Sequence, residues 1–254
     1  MRVQTGDNVG IGGFVVTGSA PKRVILRAIG PSLTGVGVPD ALADPMMELH
    51  GPAGFAPIIK DNWRDTQEAE IQATGIPPTN DLESAIIVTL DPGAYTAIVR
   101  GKNNTSGVGL IEIYDLNQGV ASKLANLSTR AFVSTGSNIV IAGFLLSNDG
   151  GSDRIVVRGI GPSLAPNIFP VSAVLGDPTL ELRDNNGTLI VADNDWQDNP
   201  AQAAEITAAG LALTNARESG IAATLSPGLY TALLAGDSSG TGIGVVEIYD
   251  LGPP

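Results

Sequence analysis

Hydrophobic and polar positions alternate with a period of two along most of the chain. Residues 23–29 and 108–114 are rich in β-branched side chains and are bounded by turn-forming residues. Such short alternating runs predict β-strands. Residues 66–73 and 201–208 differ, because their spacing is helical and each is followed by a glycine in the position of a C-terminal cap. The pattern therefore predicts many strands and two short helices.

The chain is an internal duplication. The sequence IGPSL at residues 29–33 returns at 160–164, and EIYDL at 112–116 returns at 247–251. Other landmarks recur in the same order. Strands at this spacing, without a βαβ rhythm, favour antiparallel sheets. We predict an all-β protein of two tandem antiparallel β-sandwich domains of jelly-roll-like form, each with one short helix insertion.

The repeats assign repeat 1 to residues 1–116 and repeat 2 to residues 133–254. Residues 117–132 lie between them and have no counterpart before residue 3. They are either a linker or the leading strand of repeat 2. An unpaired strand of this kind completes a neighbour's sandwich by β-augmentation. The residues of this candidate assembly strand are Lys123, Leu124, Leu127 and Arg130.

Composition narrows the choice of partners. The net charge of the 254 residues is −12, and the chain has no cysteine. An acidic surface repels nucleic-acid phosphates and anionic membranes, so neither is an expected partner. No apolar run approaches the roughly 18 to 20 residues that a membrane-spanning helix needs, so we expect no membrane insertion.

Four segments of repeat 2 carry a family resemblance: 177–187, 191–196, 225–231 and 242–248. In this order they resemble the bacterial pre-peptidase C-terminal (PPC-like) β-sandwich modules. The whole unit is also similar to a tandem repeat of large secreted bacterial proteins. The resemblance implies an extracellular or cell-surface module that is accessory, adhesive or structural rather than catalytic.

Catalytic constellations are missing from the sequence. The single histidine is His50, and without cysteine the common triads and zinc sites are unavailable. Paired carboxylates for glycoside chemistry remain an alternative. The IGPSL segments lack the Lys-Ser/Thr ending of a phosphate loop. We therefore predict that the protein is not an enzyme.

A repeated arginine, Arg27 and Arg158, lies inside an apolar strand of each repeat. An unpaired charge there would be costly. We expect a salt bridge to a repeated carboxylate, either the pair Glu48 and Glu181 or the pair Glu112 and Glu247.

The acidic loop of repeat 2 offers oxygen ligands at alternate positions, as Ca²⁺ requires. Repeat 1 interrupts this pattern with Lys60 and Arg64. The alternative is that these side chains make turns and cap the following helix. The sequence thus indicates no cofactor except Ca²⁺ in repeat 2, with candidate ligands Asp184, Asp193, Asp195 and Asp198.

Trp63 and Trp196 occupy the same position in the two repeats. Each ring either forms a ligand platform, for example for a glycan, or anchors the helix insertion onto the sandwich.

These features together predict a non-catalytic, secreted or cell-surface structural or adhesive protein. Its expected mode of action is self-assembly into a filament or array, or adhesion to other surface proteins. The alternative is a carbohydrate- or Ca²⁺-binding accessory module of a larger secreted enzyme.

Overall fold

The structure is a computed structural model that describes residues 1–147, 151–165, 168–170 and 173–253. It divides into two compact units, Met1–Leu127 (unit 1) and Ser128–Pro254 (unit 2). The protein is 48% strand and 14% helix, and its sheets are antiparallel. This confirms the predicted all-β class.

Unit 1 contains nine strands and one helix among the described residues. They are β1 (Arg2–Val3), β2 (Gly10–Gly18), β3 (Lys22–Ile29), β4 (Pro45–His50), β5 (Ile58–Lys60), α1 (Glu68–Ala73), β6 (Ser84–Leu90), β7 (Gly93–Gly101), β8 (Gly107–Val108) and β9 (Leu110–Asp115).

A further strand, β10 (Ser122–Val133), starts in unit 1 and ends in unit 2. Leu124 and Leu127 pack against the core of unit 1. Ala131 and Val133 are buried and belong to unit 2. The segment between the two sequence repeats is therefore a strand over most of its length.

The remaining elements of unit 2 follow the order of unit 1. They are β11 (Val140–Leu146), β12 (Asp153–Ile160), β13 (Pro178–Asp184), β14 (Leu189–Asp193), α2 (Pro200–Ala208), β15 (Ser219–Leu225), β16 (Gly228–Gly236) and β17 (Gly242–Asp250).

Each unit is built from two sheets with the strand order of a jelly roll. In unit 1 the orders are β2-β7-β4-β5 and β6-β3-β9, and all neighbours are antiparallel. In unit 2 the corresponding orders are β11-β16-β13-β14 and β15-β12-β17. The same order in both units confirms the predicted sandwich.

The main core of unit 1 lies between its two sheets. Phe14, Met47 and Ala97 come from one sheet, and Leu26 and Ile86 come from the other. All five are buried. The alternation read from the sequence places these side chains on the inner faces.

Each helix covers the outer face of the smaller sheet. Ile71 of α1 packs against Ile25 and Ile87, and Ile206 of α2 packs against Val156. Asn199 caps α2, because its side chain accepts hydrogen bonds from the first-turn backbone amides. The helices thus lie where the sequence predicts them, although α1 begins two residues later.

Candidate functional site

A buried glutamate organises the IGPSL loop of unit 1. The side chain of Glu83 has no solvent exposure. Its Oε1 accepts hydrogen bonds from the Gly30 amide at 3.1 Å, the Ser32 amide at 3.0 Å and the Ser32 hydroxyl at 2.5 Å. Converging backbone amides form a nest for an anion. The anion that fills this nest is the protein's own carboxylate.

Unit 2 repeats the arrangement. Oε1 of Glu218 accepts from the Gly161 amide at 3.2 Å and from the amide and hydroxyl of Ser163 at 2.9 and 2.6 Å. Sequence reasoning missed this glutamate. The signal was available, because the repeated Glu-Ser pair and the repeated Gly-Pro-Ser segment are both identical.

The repeated arginines are paired as expected. Arg27 Nε donates to Glu112 at 2.9 Å, and Arg158 Nε donates to Glu247 at 2.8 Å. The choice between the two predicted carboxylates thus falls on Glu112 and Glu247. Each guanidinium also lies over a tyrosine of the last strand. The pairs join neighbouring strands of the smaller sheet.

Both tryptophans lie under the helices. Trp63 is 2% exposed and packs with the α1 cluster, and its Nε1 donates to the Asn80 carbonyl. Trp196 is 7% exposed and packs with Ile206. Trp196 is also among the residues that line an open depression along α2. Neither indole presents an exposed ring face, a placement that favours the anchoring alternative over the ligand platform.

The four predicted calcium ligands divide into two places. Asp184 lies in the turn after β13, where the Asn186 and Thr188 amides donate to its Oδ1 at 2.8 and 2.9 Å. These bonds hold the pKa of Asp184 below its ordinary value.

Of the other three aspartates, Asp193 is the last residue of β14, and Asp195 and Asp198 follow that strand. Burial raises the pKa of Asp193, and repulsion from Asp198 and Asp195 adds to this. Asp193 Oδ2 accepts from the Gly220 amide at 2.7 Å. Over the described ranges, no group of three or more acidic or histidine side chains is arranged to hold a metal ion.

Beside this loop, the two units carry side chains of opposite charge at one equivalent position. In unit 1, Lys102 Nζ is 2.6 Å from an oxygen of Asp61 and 3.7 Å from an oxygen of Asp44. The residue at the same place in unit 2 is Asp237. Burial, together with repulsion from Asp195 and Asp237, raises the pKa of Asp177, the counterpart of Asp44.

Buried side-chain oxygens without a hydrogen-bond partner occur at this place in both units. Within the described residues, the buried Oδ1 atoms of Asp177 and Asp195 accept no hydrogen bond, and neither do those of Asp44 and Asp61 in unit 1. Sequence reasoning missed this contrast, although aligning the repeats sets Lys102 against Asp237. The difference between the units is therefore one of charge: carboxylates repel one another around Asp177 in unit 2, where unit 1 has the ammonium of Lys102.

The predicted assembly residues lie on β10. Lys123 is exposed, Leu124 and Leu127 are half-buried, and the Arg130 guanidinium lies 5.0 Å from the centre of the Phe169 ring. β10 pairs with β2 and with β17. The strand is thus integrated into the fold.

Exposed apolar side chains cluster on one sheet of unit 2. Leu145 of β11 is 66% exposed and lies opposite Leu229 of β16, which is 57% exposed. Ile141 on the same face of β11 is 48% exposed. We call these three residues the apolar face. A solvated sandwich face ordinarily carries polar residues at such positions.

The strands at sheet edges in the described part of the chain include β9 and β11. Within the described ranges, β9 pairs with β3 alone among its possible strand neighbours, and β11 pairs with β16 alone. Unpaired strand edges can bind another extended chain.

No helix in the described part of the chain is both long enough and apolar enough to cross a membrane.

Comparison with known proteins gives little further information. No family model and no curated protein matches the chain. Among solved structures the chain is similar to the crystal structure of the STIV MCP, with 12% identity over 98% of this chain and 93% of that one. The TM-score is 0.26, which is too low to transfer a fold or a function.

Proposed function

We propose that this protein is a non-catalytic structural module of the cell surface or extracellular space that acts by association with further copies of itself. The observation that carries this proposal is the apolar face of Ile141, Leu145 and Leu229. Contiguous exposed apolar surface marks interaction sites in soluble proteins.

The internal comparison supports this reading. The counterparts of Ile141 and Leu145 in unit 1 are Ile11 and Val15, and both are half-buried. Repeat 2 therefore exposes larger apolar side chains where repeat 1 covers smaller or equal ones. Burying such side chains against a second copy contributes about 25 cal/mol for each Å² removed from water.

The buried glutamates and tryptophans already contact other parts of the protein, which argues against a ligand site formed by these residues. The carboxylate nests are filled by Glu83 and Glu218, and the two indoles anchor helices. Surface contact is then the property that remains for a function. The resemblance to tandem modules of secreted proteins agrees with this role and with an extracellular location.

The test is the oligomeric state of the full chain. Light scattering over a range of concentrations and electron microscopy should reveal oligomers or filaments. Substitution Leu145→Gln should shift the chain towards monomer. The matched control is Ile59→Gln, which removes an apolar side chain of similar exposure from unit 1 and should leave assembly unchanged. A chain that stays monomeric at every soluble concentration contradicts the proposal.

The alternative function, an accessory module that binds Ca²⁺ or a glycan, has one observation in its favour. Asp177 and Asp195, whose Oδ1 atoms accept no hydrogen bond, repel one another, and unit 2 has Asp237 at the position of Lys102. Calcium titration by calorimetry tests this alternative. Heat of binding that disappears in Asp195→Asn would support it, and no heat would remove it.

A further inference from the structure

The two units differ in the strand pairing of β9 and its counterpart β17. In unit 2, β17 lies between β12 and β10. In unit 1 its counterpart β9 pairs with β3. β1 pairs with β8, through Arg2 opposite Val108 and Val3 opposite Gly107, and with β10, but over the described ranges not with β9. Within the described residues, the other edge of β9 therefore has no strand along Leu110–Asp115.

Equivalent residues of β9 and β17 differ in burial. Val246 and Ile248 of β17 are 0% and 4% exposed. Their counterparts Ile111 and Ile113 are only half-buried, and Leu110 of β9 is 40% exposed. The side chains are of the same type in both units. The open edge thus leaves apolar surface in water that unit 2 covers.

The structure also indicates what fits this edge. Cγ2 of Val133, at the end of β10, lies 3.2 Å from the point that a Cβ atom would occupy on Gly244 in unit 2. Val3 at the end of β1 has its Cγ2 3.2 Å from the Cβ position of Gly109 in unit 1. Val3 therefore occupies the place of Val133. A strand that continued β1 backwards along β9 would repeat the path of β10 along β17.

The chemistry of that strand can be read from β10. Its apolar residues Leu124 and Leu127 are half-buried, and Ala131 is buried. It carries the cations Lys123 and Arg130, whereas the chain as a whole has a net charge of −12. A basic extended strand therefore suits this acidic protein electrostatically.

We propose that the open edge of β9 is an acceptor site for an antiparallel peptide strand with the sequence pattern of β10, supplied by a further repeat of the same kind. The inference rests on the proposed function, since it names the strand through which association takes place. Backbone hydrogen bonds to Leu110–Asp115 supply affinity, and alternate apolar side chains supply register.

The first experiment uses a capped synthetic peptide with the sequence of Ser122–Val133, added to the full chain. Hydrogen exchange at the amides of Leu110–Asp115 should slow on titration. The control is the same peptide with Leu124→Pro and Leu127→Pro, because proline removes the ladder hydrogen bonds. Equal exchange with both peptides would overturn the inference.

A second variant supplies the strand in the same chain. Residues 122–130 are fused directly before Met1, which places the fused segment in register with β9. The fusion should slow exchange at Leu110–Asp115 and raise the melting temperature, whereas the fusion with the two prolines should do neither. An unchanged melting temperature and unchanged exchange would contradict the proposed register.

Light scattering on the same samples separates this inference from the proposed function. An assembling chain whose β9 is not protected by peptide or fusion refutes the strand inference alone. A monomeric chain whose β9 is protected refutes the self-assembly proposal alone. Protection of β9 that grows with protein concentration, without peptide, would replace the β10-like strand with direct edge pairing between two copies.

Discussion

Neutralising Glu83 should destabilise unit 1 by about 3 kcal/mol. Three donors converge on its Oε1 from Gly30 and Ser32, at 3.1, 3.0 and 2.5 Å. A hydrogen bond to a charged group contributes about 1.5–3 kcal/mol, against about 0.5–1.5 for a neutral one. Glu83→Gln keeps the shape and loses roughly 1 kcal/mol for each of these bonds.

The amide introduces a second cost at the other oxygen. Oε2 of Glu83 accepts from the Asn80 amide at 3.3 Å. In one orientation the glutamine places an N–H donor against this donor, and in the other it does so against the Gly30–Ser32 loop. The substitution therefore cannot satisfy both sides of the nest.

The protein offers a direct assay, because each unit contains one tryptophan. In a Trp196→Phe background, the fluorescence of Trp63 reports unit 1 alone during unfolding in guanidinium chloride. The backbone amide of Trp63 also donates to the Glu83 carbonyl at 2.8 Å, so the probe lies beside the change. The free energy of unfolding is compared with and without Glu83→Gln.

The control is Glu70→Gln, which breaks the exposed ion pair to Arg23 and should cost less than about 1 kcal/mol. A loss below about 1 kcal/mol for Glu83→Gln would refute the reasoning that the charge organises the loop.

Four other substitutions test the charges of the two units. Arg158→Met removes the ion-pair partner of the half-buried Glu247 carboxylate and should cost about 3 kcal/mol in denaturant unfolding of a Trp63→Phe chain. A change within experimental error would contradict this. Lys102→Asp should lower the melting temperature of unit 1, and Asp237→Lys should raise that of unit 2. Shifts of the same sign would refute the role assigned to the charge at this position. Because burial and neighbouring carboxylates raise the pKa of Asp177, its protonated form favours the folded state below its unfolded pKa, and this stabilisation is lost as the pH rises through the folded pKa. Asp177→Asn should therefore raise the melting temperature at neutral pH but not in acid. Thermal scans across pH test this, and a gain that stays constant with pH would contradict it.

The fold class follows from local patterns. Period-two alternation in segments such as 23–29 is a property of neighbouring residues, and it survives in β3. Duplication then adds a strong constraint, because two copies must fold alike. The helix insertions were predictable for the same reason.

The local sequence pattern did not decide whether residues 117–132 form a linker or a strand. Both a linker and a strand were consistent with the sequence, since the alternation around Leu124 and Leu127 is short. The outcome depends on distant strands, because β10 pairs with β2 and β17. Most residues of β10 are half-buried, so no alternation of buried and exposed side chains marks the strand in the sequence.

The carboxylate nest escaped prediction for a related reason. Glu83 lies 51 residues from Ser32, and a lone glutamate in a polar loop is ordinarily exposed. Only the coincidence of two repeated motifs links them. The pairing of Arg27 was predictable as a requirement, because a charge inside an apolar strand needs a partner, but its choice of Glu112 depends on strand register.

The position of β10 has a consequence for dissecting this protein. The strand begins in unit 1 and ends in unit 2. The boundaries of the sequence repeats therefore do not coincide with the boundary between the folded units. A fragment cut at the sequence repeat, after residue 116, gives up Leu124 and Leu127, which cover the core of unit 1. A fragment that starts at residue 133 gives up Ala131, which is buried in unit 2. Fragments for separate expression should therefore overlap, so that each carries its own copy of Ser122–Val133.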